Sequence, residues 1–202
     1  MVGLRSMNRA MKCMLFSLRT KPVQLLHAGS PVPIHNELVD EEICPDYNSK
    51  YFYPSKPGEI LADEYQLLVK VGWGTRSTVW LARDITRYKW QSERSVTLKI
   101  INNCNSAEAR HERDIEEHIA QQNPSHRGHA IIRTCLESFE VAGPEGNHLC
   151  LVYEPMREPL WILQRRFVGQ RLPLPIAKAY IFFLLVGLDY LHTECGVVHT
   201  GK

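Results

Sequence analysis

The run Gly72-Trp-Gly74-Thr-Arg-Ser77-Thr-Val79 reads G-x-G-x-x-S-x-V. Glycines at this spacing let backbone N–H groups approach a phosphate with no Cβ in the way. A glycine-rich hairpin turn fits the same residues. A dinucleotide-binding turn does not: its glycines must open a helix whose N-terminus holds the pyrophosphate, and here they lead into the strand-like Thr78-Val-Trp-Leu-Ala-Arg83. The second chemical group is Lys99 in Val96-Thr97-Leu98-Lys99. On a strand Thr97 and Lys99 share one face, while Val96, Leu98 and Ile100 take the other. A lone strand lysine is ordinarily just solvated. Glu112, on the helix expected next, could pair with Lys99 and hold it against anionic phosphates.

The elements that must carry these groups read as an α+β pattern. Strands are expected over 65–71, 78–83 and 96–101, with 72–77 as the turn between the first two. A helix capped by Ser106 runs to about Gln122, on which Ala109, Ile115 and Ile119 form a sparse apolar face. Two more strands, 131–141 and 148–153, flank the turn Gly143-Pro-Glu-Gly146. After Pro159 the pattern turns helical: a short helix over 160–167, then an apolar one opened by Pro175 and ending at 194–196. Five strands around one helix, followed by helices, form a two-part architecture.

Charge sets the boundaries. Residues 1–36 hold five bases and no acid, and residues 37–64 hold eight acids and two bases; from Tyr65 on, seventeen bases face fourteen acids. The folded part is therefore expected from about residue 65, with 1–43 a disordered tail and 44–64 an extended arm. The acid-free start also has the character of a mitochondrial presequence. A net charge of +2 gives no bulk reason to expect nucleic acid as a partner. No stretch reaches the ~18–20 apolar residues of a membrane span; the longest, 181–188, stops at Asp189. The six cysteines fall in no CxxC pair, which suits a reduced intracellular compartment, cytoplasm or nucleus. His126 and His129 have ligand spacing without a second pair, and Arg113-Asp114 and Glu116-Glu117 read as a solvated helix face.

Taken in order, Gly72-x-Gly74-x-x-Ser77-x-Val79, Val96-Thr-Leu-Lys99, Glu112-x-x-Ile, Leu149-Cys-Leu-Val-Tyr-Glu154 and Leu188-Asp-Tyr-Leu-His192…Val197-Val-His-Thr200 resemble the protein kinases. The wording Gly-Trp-Gly-Thr-Arg-Ser-Thr-Val-Trp-Leu-Ala-Arg-Asp and the dipeptide His-Thr are similar to the serine/arginine-rich splicing-factor kinases, especially fungal ones. The resemblance covers roughly residues 47–200. It implies a kinase N-lobe, a five-stranded antiparallel sheet with one helix and a hinge, over 65–156, and the first helices of an incomplete helical C-lobe over 157–202.

By the same resemblance Gly72, Gly74 and Ser77 cover the phosphates of ATP and Val79 lies over the adenine. Lys99 contacts the α- and β-phosphates while paired with Glu112. Tyr153 is the gatekeeper residue, and the carbonyl of Glu154 and the N–H of Met156 bond adenine. Mg2+ and protein substrates, serine/arginine-rich splicing factors among them, are further implications.

The chain departs from the family pattern in several places. Thr97 stands where alanine is usual, adding bulk beside the adenine worth about 1 kcal/mol or less. The loop lacks a third glycine and carries Arg76, expected to point to solvent. Gly201 occupies the position of the catalytic aspartate, and the magnesium-binding Asn and Asp do not follow. General-base assistance alone is worth about 10²–10⁴ in rate, so the chain as written is expected not to transfer phosphate. Its Gly201-Lys202 end can be encoded by GGTAAG, a splice-donor sequence, which makes a retained intron the expected origin of the ending. A non-catalytic ATP-binding pseudokinase fragment and a pure interaction module are the alternatives.

Overall fold

The computed structural model describes residues 18–25, 42 and 47–198. Expectations for the tail outside 18–25 and 42, and for the segment from residue 199 that contains Gly201, lie outside the described residues. The chain divides into two compact units. One holds the described residues through Cys104 together with Phe139–Cys150; the other holds Asn105–Ser138 and the described residues from Leu151 on.

The first unit is organised by a sheet. Strands β1 (Ile60–Leu61), β2 (Tyr65–Gly74), β3 (Ser77–Asp84), β4 (Ser95–Ile101), β5 (Glu137–Gly143) and β6 (Gly146–Tyr153) lie in the order β1-β2-β3-β4-β6-β5. β2, β3 and β4 pair antiparallel, as expected from the alternating pattern. The strand count exceeds the expected five because a two-residue strand from the arm, β1, pairs antiparallel with the start of β2. Alternation buries Leu67, Ala82, Val96, Leu98 and Ile100. Each such side chain contributes about 1.5–3 kcal/mol by leaving water.

The glycines are not where the sequence placed them. β2 runs through Gly72 and Gly74, and β3 begins at Ser77, so the turn is only Thr75-Arg76. Two register shifts on β2, between Leu67 and Val69 and between Lys70 and Gly72, insert one extra residue each. As a result Leu67, Lys70 and Trp73 pair with Ala82, Trp80 and Thr78 on one face, and Val69, Gly72 and Gly74 pair with Leu81, Val79 and Ser77 on the other.

The arm lies against the first of these faces. Asn48 caps a 3-10 turn at Ser49–Tyr51, accepting from the Lys50 N–H, and the Tyr53 hydroxyl donates to Glu59 at 2.7 Å. Phe52 and Tyr53 border a recess of about 330 Å³ whose other wall is Lys70, Thr78 and Trp80. Residues 18–25, inside the segment expected to be a tail, are also tied down. The buried Gln66 side chain accepts from the Val23 N–H and donates to the Val23 carbonyl, both at 2.8 Å, and Thr20 N–H donates to the Arg87 carbonyl at 2.8 Å.

The second unit is helical, with α1 (Ser106–Gln121), α2 (Leu160–Gln164) and α3 (Leu174–Thr193). Asn105, not Ser106, caps α1, its side chain accepting from the Glu108 N–H at 3.2 Å. Ile119, Tyr190, Leu191 and Cys195 form a buried cluster, with Ile115, Ile132 and Val197 packed against it. This cluster explains a second correction. The run from Ile131 was expected to open a strand, but β5 starts only at Glu137, because Ile131 and Ile132 are taken by the helical core: both contact the space over Gly187 on α3. Gly128 in the same loop is required by close approach. A Cβ there would lie 2.4 Å from both the Tyr190 Cβ and the Val186 carbonyl oxygen.

The short helix ends at Gln164 rather than 167. α3 begins one residue before Pro175, which sits in its first turn as expected. Contrary to the expectation from the uninterrupted run alone, α3 is by length and composition long and apolar enough to cross a membrane, with a mean hydropathy of 1.6 over its best window. Ile181, Phe182, Phe183, Leu184 and Leu185 are all exposed.

Candidate nucleotide-binding site

In the first unit the register aligns three of the expected residues. Val79 on β3 faces Gly72 on β2 and Lys99 on β4, so Gly72, Val79 and Lys99 form one row across three strands. Paired residues of an antiparallel ladder share a face, and this row lies on the face opposite the arm. Val79 and Lys99 are both half-buried, Ser77 is buried, and Arg76 at the turn is exposed. The backbone of that turn is held by the Asn102 N–H, which donates to the Arg76 carbonyl at 2.8 Å. Thr97, one row along from Lys99 and opposite Leu81, is buried.

Nothing in the fold requires glycine at the two turn-proximal positions. Neither Gly72 nor Gly74 has a positive φ. A Cβ at Gly72 would come no closer than 3.8 Å to Val79, and one at Gly74 no closer than 3.8 Å to Ser77, which are ordinary contacts. What a Cβ would obstruct is approach from outside the sheet.

The remaining expected residues belong to the second unit. Glu154 and Met156 are exposed, in the irregular segment after β6, and border a recess of about 370 Å³ with Arg133 and Leu136. Glu112 lies on α1 in the stripe that also carries the buried Ala109 and Ile119. Tyr153 is buried, its hydroxyl donating to Glu116 Oε1 at 2.6 Å. The Arg133 guanidinium lies 4.2 Å from the centre of its ring. Burial first, and then the hydrogen bond to Glu116, push the Tyr153 hydroxyl pKa upward. Burial lowers that of Arg133.

Glu116 is the residue that sequence reasoning missed. Read as part of a solvated face, it instead takes the Tyr153 hydroxyl on one oxygen and the Cys135 N–H, at 2.8 Å, on the other. The available signal was its spacing, one turn after Glu112 on the inward stripe. Arg113 and Asp114, by contrast, pair at 2.8 Å in the open. His126 and His129 serve packing. His126 stacks on Tyr190 and accepts from the Gly128 N–H, and His129 meets the same ring edge-on. Among the described residues no group of three or more His, Cys, Asp or Glu is placed to hold a metal ion.

No family model matches the chain. Individual proteins do. A serine/threonine protein kinase of Aspergillus fumigatus is 36% identical over 162 residues, covering 80% of this chain and 39% of that protein. Protein kinase dsk1 of Schizosaccharomyces pombe is 36% identical over 79% of this chain and 29% of its own length. The mouse SRSF protein kinase 3 is 33% identical over 80% and 28%. The chain thus spans about two fifths or less of the curated relatives it matches. In three dimensions it is similar to a crystal structure of a kinase domain, with a TM-score of 0.57 at 22% identity, over 72% of this chain and 40% of that one. The expected sheet and following helices agree with that fold. With five motifs in kinase order and this fold, the chain is similar over four fifths of its length to protein kinases of the SR-protein type, and its structural neighbour is a kinase domain.

Proposed function

We propose that the chain binds ATP as protein kinases do, and that it represents the nucleotide-binding portion of a serine/threonine kinase acting on serine/arginine-rich proteins. The observation that carries this is the row Gly72–Val79–Lys99, with glycine at Gly72 and Gly74 where the fold itself would accept a Cβ. Bare backbone on that face fits phosphate oxygens approaching from outside. A half-buried lysine in the same row supplies the charge, and Val79 an apolar surface for the base. In this reading Lys99 contacts the α- and β-phosphates and Glu112 orients it. The Glu154 carbonyl accepts from the adenine amino group, and the Met156 N–H donates to the ring. Magnesium would neutralise the phosphates when bound, and no residue of this chain is assigned to it.

With Gly201 in the position of the catalytic aspartate, this chain has no group there to orient a substrate hydroxyl, and we assign it binding without transfer. Phosphorylation of splicing factors, and an intracellular location in cytoplasm or nucleus, belong to the same proposal. Titration of the 202-residue chain with ATP and magnesium by calorimetry tests it. Saturable binding that Lys99→Met and Gly74→Val each abolish is expected, with no label transferred to an arginine/serine-repeat peptide. Absence of binding, or binding indifferent to both substitutions, would leave an interaction module as the better reading.

A further inference from the structure

We propose that Glu116 is a positioning residue that sets nucleotide selectivity by fixing the Tyr153 side chain against α1. The inference rests on the nucleotide-binding reading above, in which the residues after Tyr153 hold the adenine edge. Every contact it uses lies within the second unit.

Tyr153 ends β6, one residue before Glu154, so the place its ring occupies decides how much room is left behind the adenine amino group. A tyrosine in a roomy site would choose among rotamers. Here three contacts select one. The hydroxyl donates to Glu116 Oε1 at 2.6 Å, a length typical of a charge-assisted bond. The Arg133 guanidinium covers one ring face at 4.2 Å. Glu116 is itself immobilised, because its second oxygen accepts from the Cys135 N–H at 2.8 Å. The carboxylate therefore ties three pieces of chain together: α1, the loop before β5 and the end of β6.

The chemistry also explains why a carboxylate stands at an inward helix position. A glutamate there has two acceptor oxygens for two donors that would otherwise be buried without partners. Leucine would fill the space and satisfy neither. Glutamine could serve only one of the two, since its amide nitrogen is itself a donor.

The consequence is a division of labour. Tyr153 supplies the bulk that closes the space behind the adenine, and Glu116 keeps that bulk in place. Removing the tether lets the ring swing while leaving every residue that touches the nucleotide unchanged. Adenines enlarged at the exocyclic amine should then gain relative to ATP.

The test measures dissociation constants for ATP and for N6-benzyl-ATP with wild type, Glu116→Gln, Tyr153→Phe and the double variant. Phenylalanine keeps the ring and loses only the hydroxyl, which guards against a variant that fails to fold. In each single variant the preference for ATP over the benzyl analogue should fall by roughly tenfold, the size one charge-assisted bond allows. The double variant should fall no further than Tyr153→Phe alone, since both act through one bond. If the wild type binds ATP but the preference is unchanged in both single variants, or the two effects simply add, Glu116 has no such role. If the wild type binds neither nucleotide, the nucleotide reading fails, and this inference with it.

Discussion

Tyr190 offers the sharpest test of the helical unit, because its ring and its hydroxyl do separable work. The side chain is fully buried, and the hydroxyl donates to the Ile119 carbonyl at 2.7 Å, fastening α3 to the last turn of α1. Tyr190→Phe deletes that bond and keeps the ring between His126 and His129, at 5.5 and 5.6 Å. A net hydrogen bond is worth about 0.5–1.5 kcal/mol. The Ile119 carbonyl is not orphaned by the change, since the Gln122 N–H also reaches it at 3.3 Å, so the lower half of the desolvation penalty applies. The expected loss is about 1 kcal/mol, or about 2–4 °C in Tm for a protein of this size. Tyr190→Ala removes the ring as well and should cost about 3–5 kcal/mol. Urea unfolding followed by far-UV circular dichroism measures both, with Tyr180→Phe on the exposed part of α3 as a control expected within ~0.5 kcal/mol of wild type. A Tyr190→Phe loss no larger than the control's would refute the account of how α1 and α3 are joined.

Four further outcomes follow from the same geometry. Gly128→Ala places a Cβ against backbone and should cost about 3 kcal/mol, the upper end for overpacking. Gly72→Ala meets only ordinary contacts and should be neutral or stabilising by up to ~1 kcal/mol; parallel melting curves compare the two directly. The His148 ring is buried, and its Nδ1–H donates to the Ile101 carbonyl at 3.1 Å. Burial lowers its pKa despite that bond. The unfolded chain therefore takes up the proton first, and stability falls as pH drops below about 6.5. His148→Gln should flatten that slope between pH 7 and 5, and an unchanged slope would assign it to other groups. At alkaline pH the sign is opposite. The raised pKa of Tyr153 means that its contribution to stability is full below about 10 and declines above it; Tyr153→Phe should make the alkaline decline shallower, with Tyr53, Tyr190 and Cys150, also raised by burial, accounting for the remainder. Finally, the exposed apolar residues of α3 should make the isolated 202-residue chain bind a hydrophobic dye and self-associate. Phe182→Glu with Leu185→Lys should suppress both in light scattering without lowering the melting temperature.

What could be read from the sequence, and what could not, divides along physical lines. β3 and β4 were legible because Trp80 and Ala82 on one strand and Val96, Leu98 and Ile100 on the other are apolar, buried and two apart, so composition at period two carries the information directly. The run from Ile131 looked like the same signal, but its isoleucines are taken by α3, which begins only at Leu174, a demand no local window contains. Glu116 was misread for the related reason that charge predicts solvent only when no donor waits inside. The tie between Val23 and Gln66 was invisible because glutamine in a strand is unremarkable until its amide is seen to have both partners from one distant residue. The candidate site was legible as a set of residue types, since glycines, lysine and glutamate are each chosen for chemistry. The row that aligns Gly72, Val79 and Lys99 depends on two register shifts that alternation alone does not reveal.

Those two shifts give β2 a phase. Each extra residue reverses which side of the sheet the following side chains take, and the second reversal cancels the first, so from Leu67 to Trp73 one face is visited every third residue instead of every second. The strand therefore tolerates loss of either extra residue. Deleting Val71 would leave Lys70 opposite Trp80 and Gly72 opposite Val79, so both glycines keep their side of the sheet, and deleting Leu68 would do the same for Leu67 and Val69. Length in this strand can change at two points without moving the row that holds Lys99, whereas a residue lost between Gly72 and Ser77 would shift that row itself.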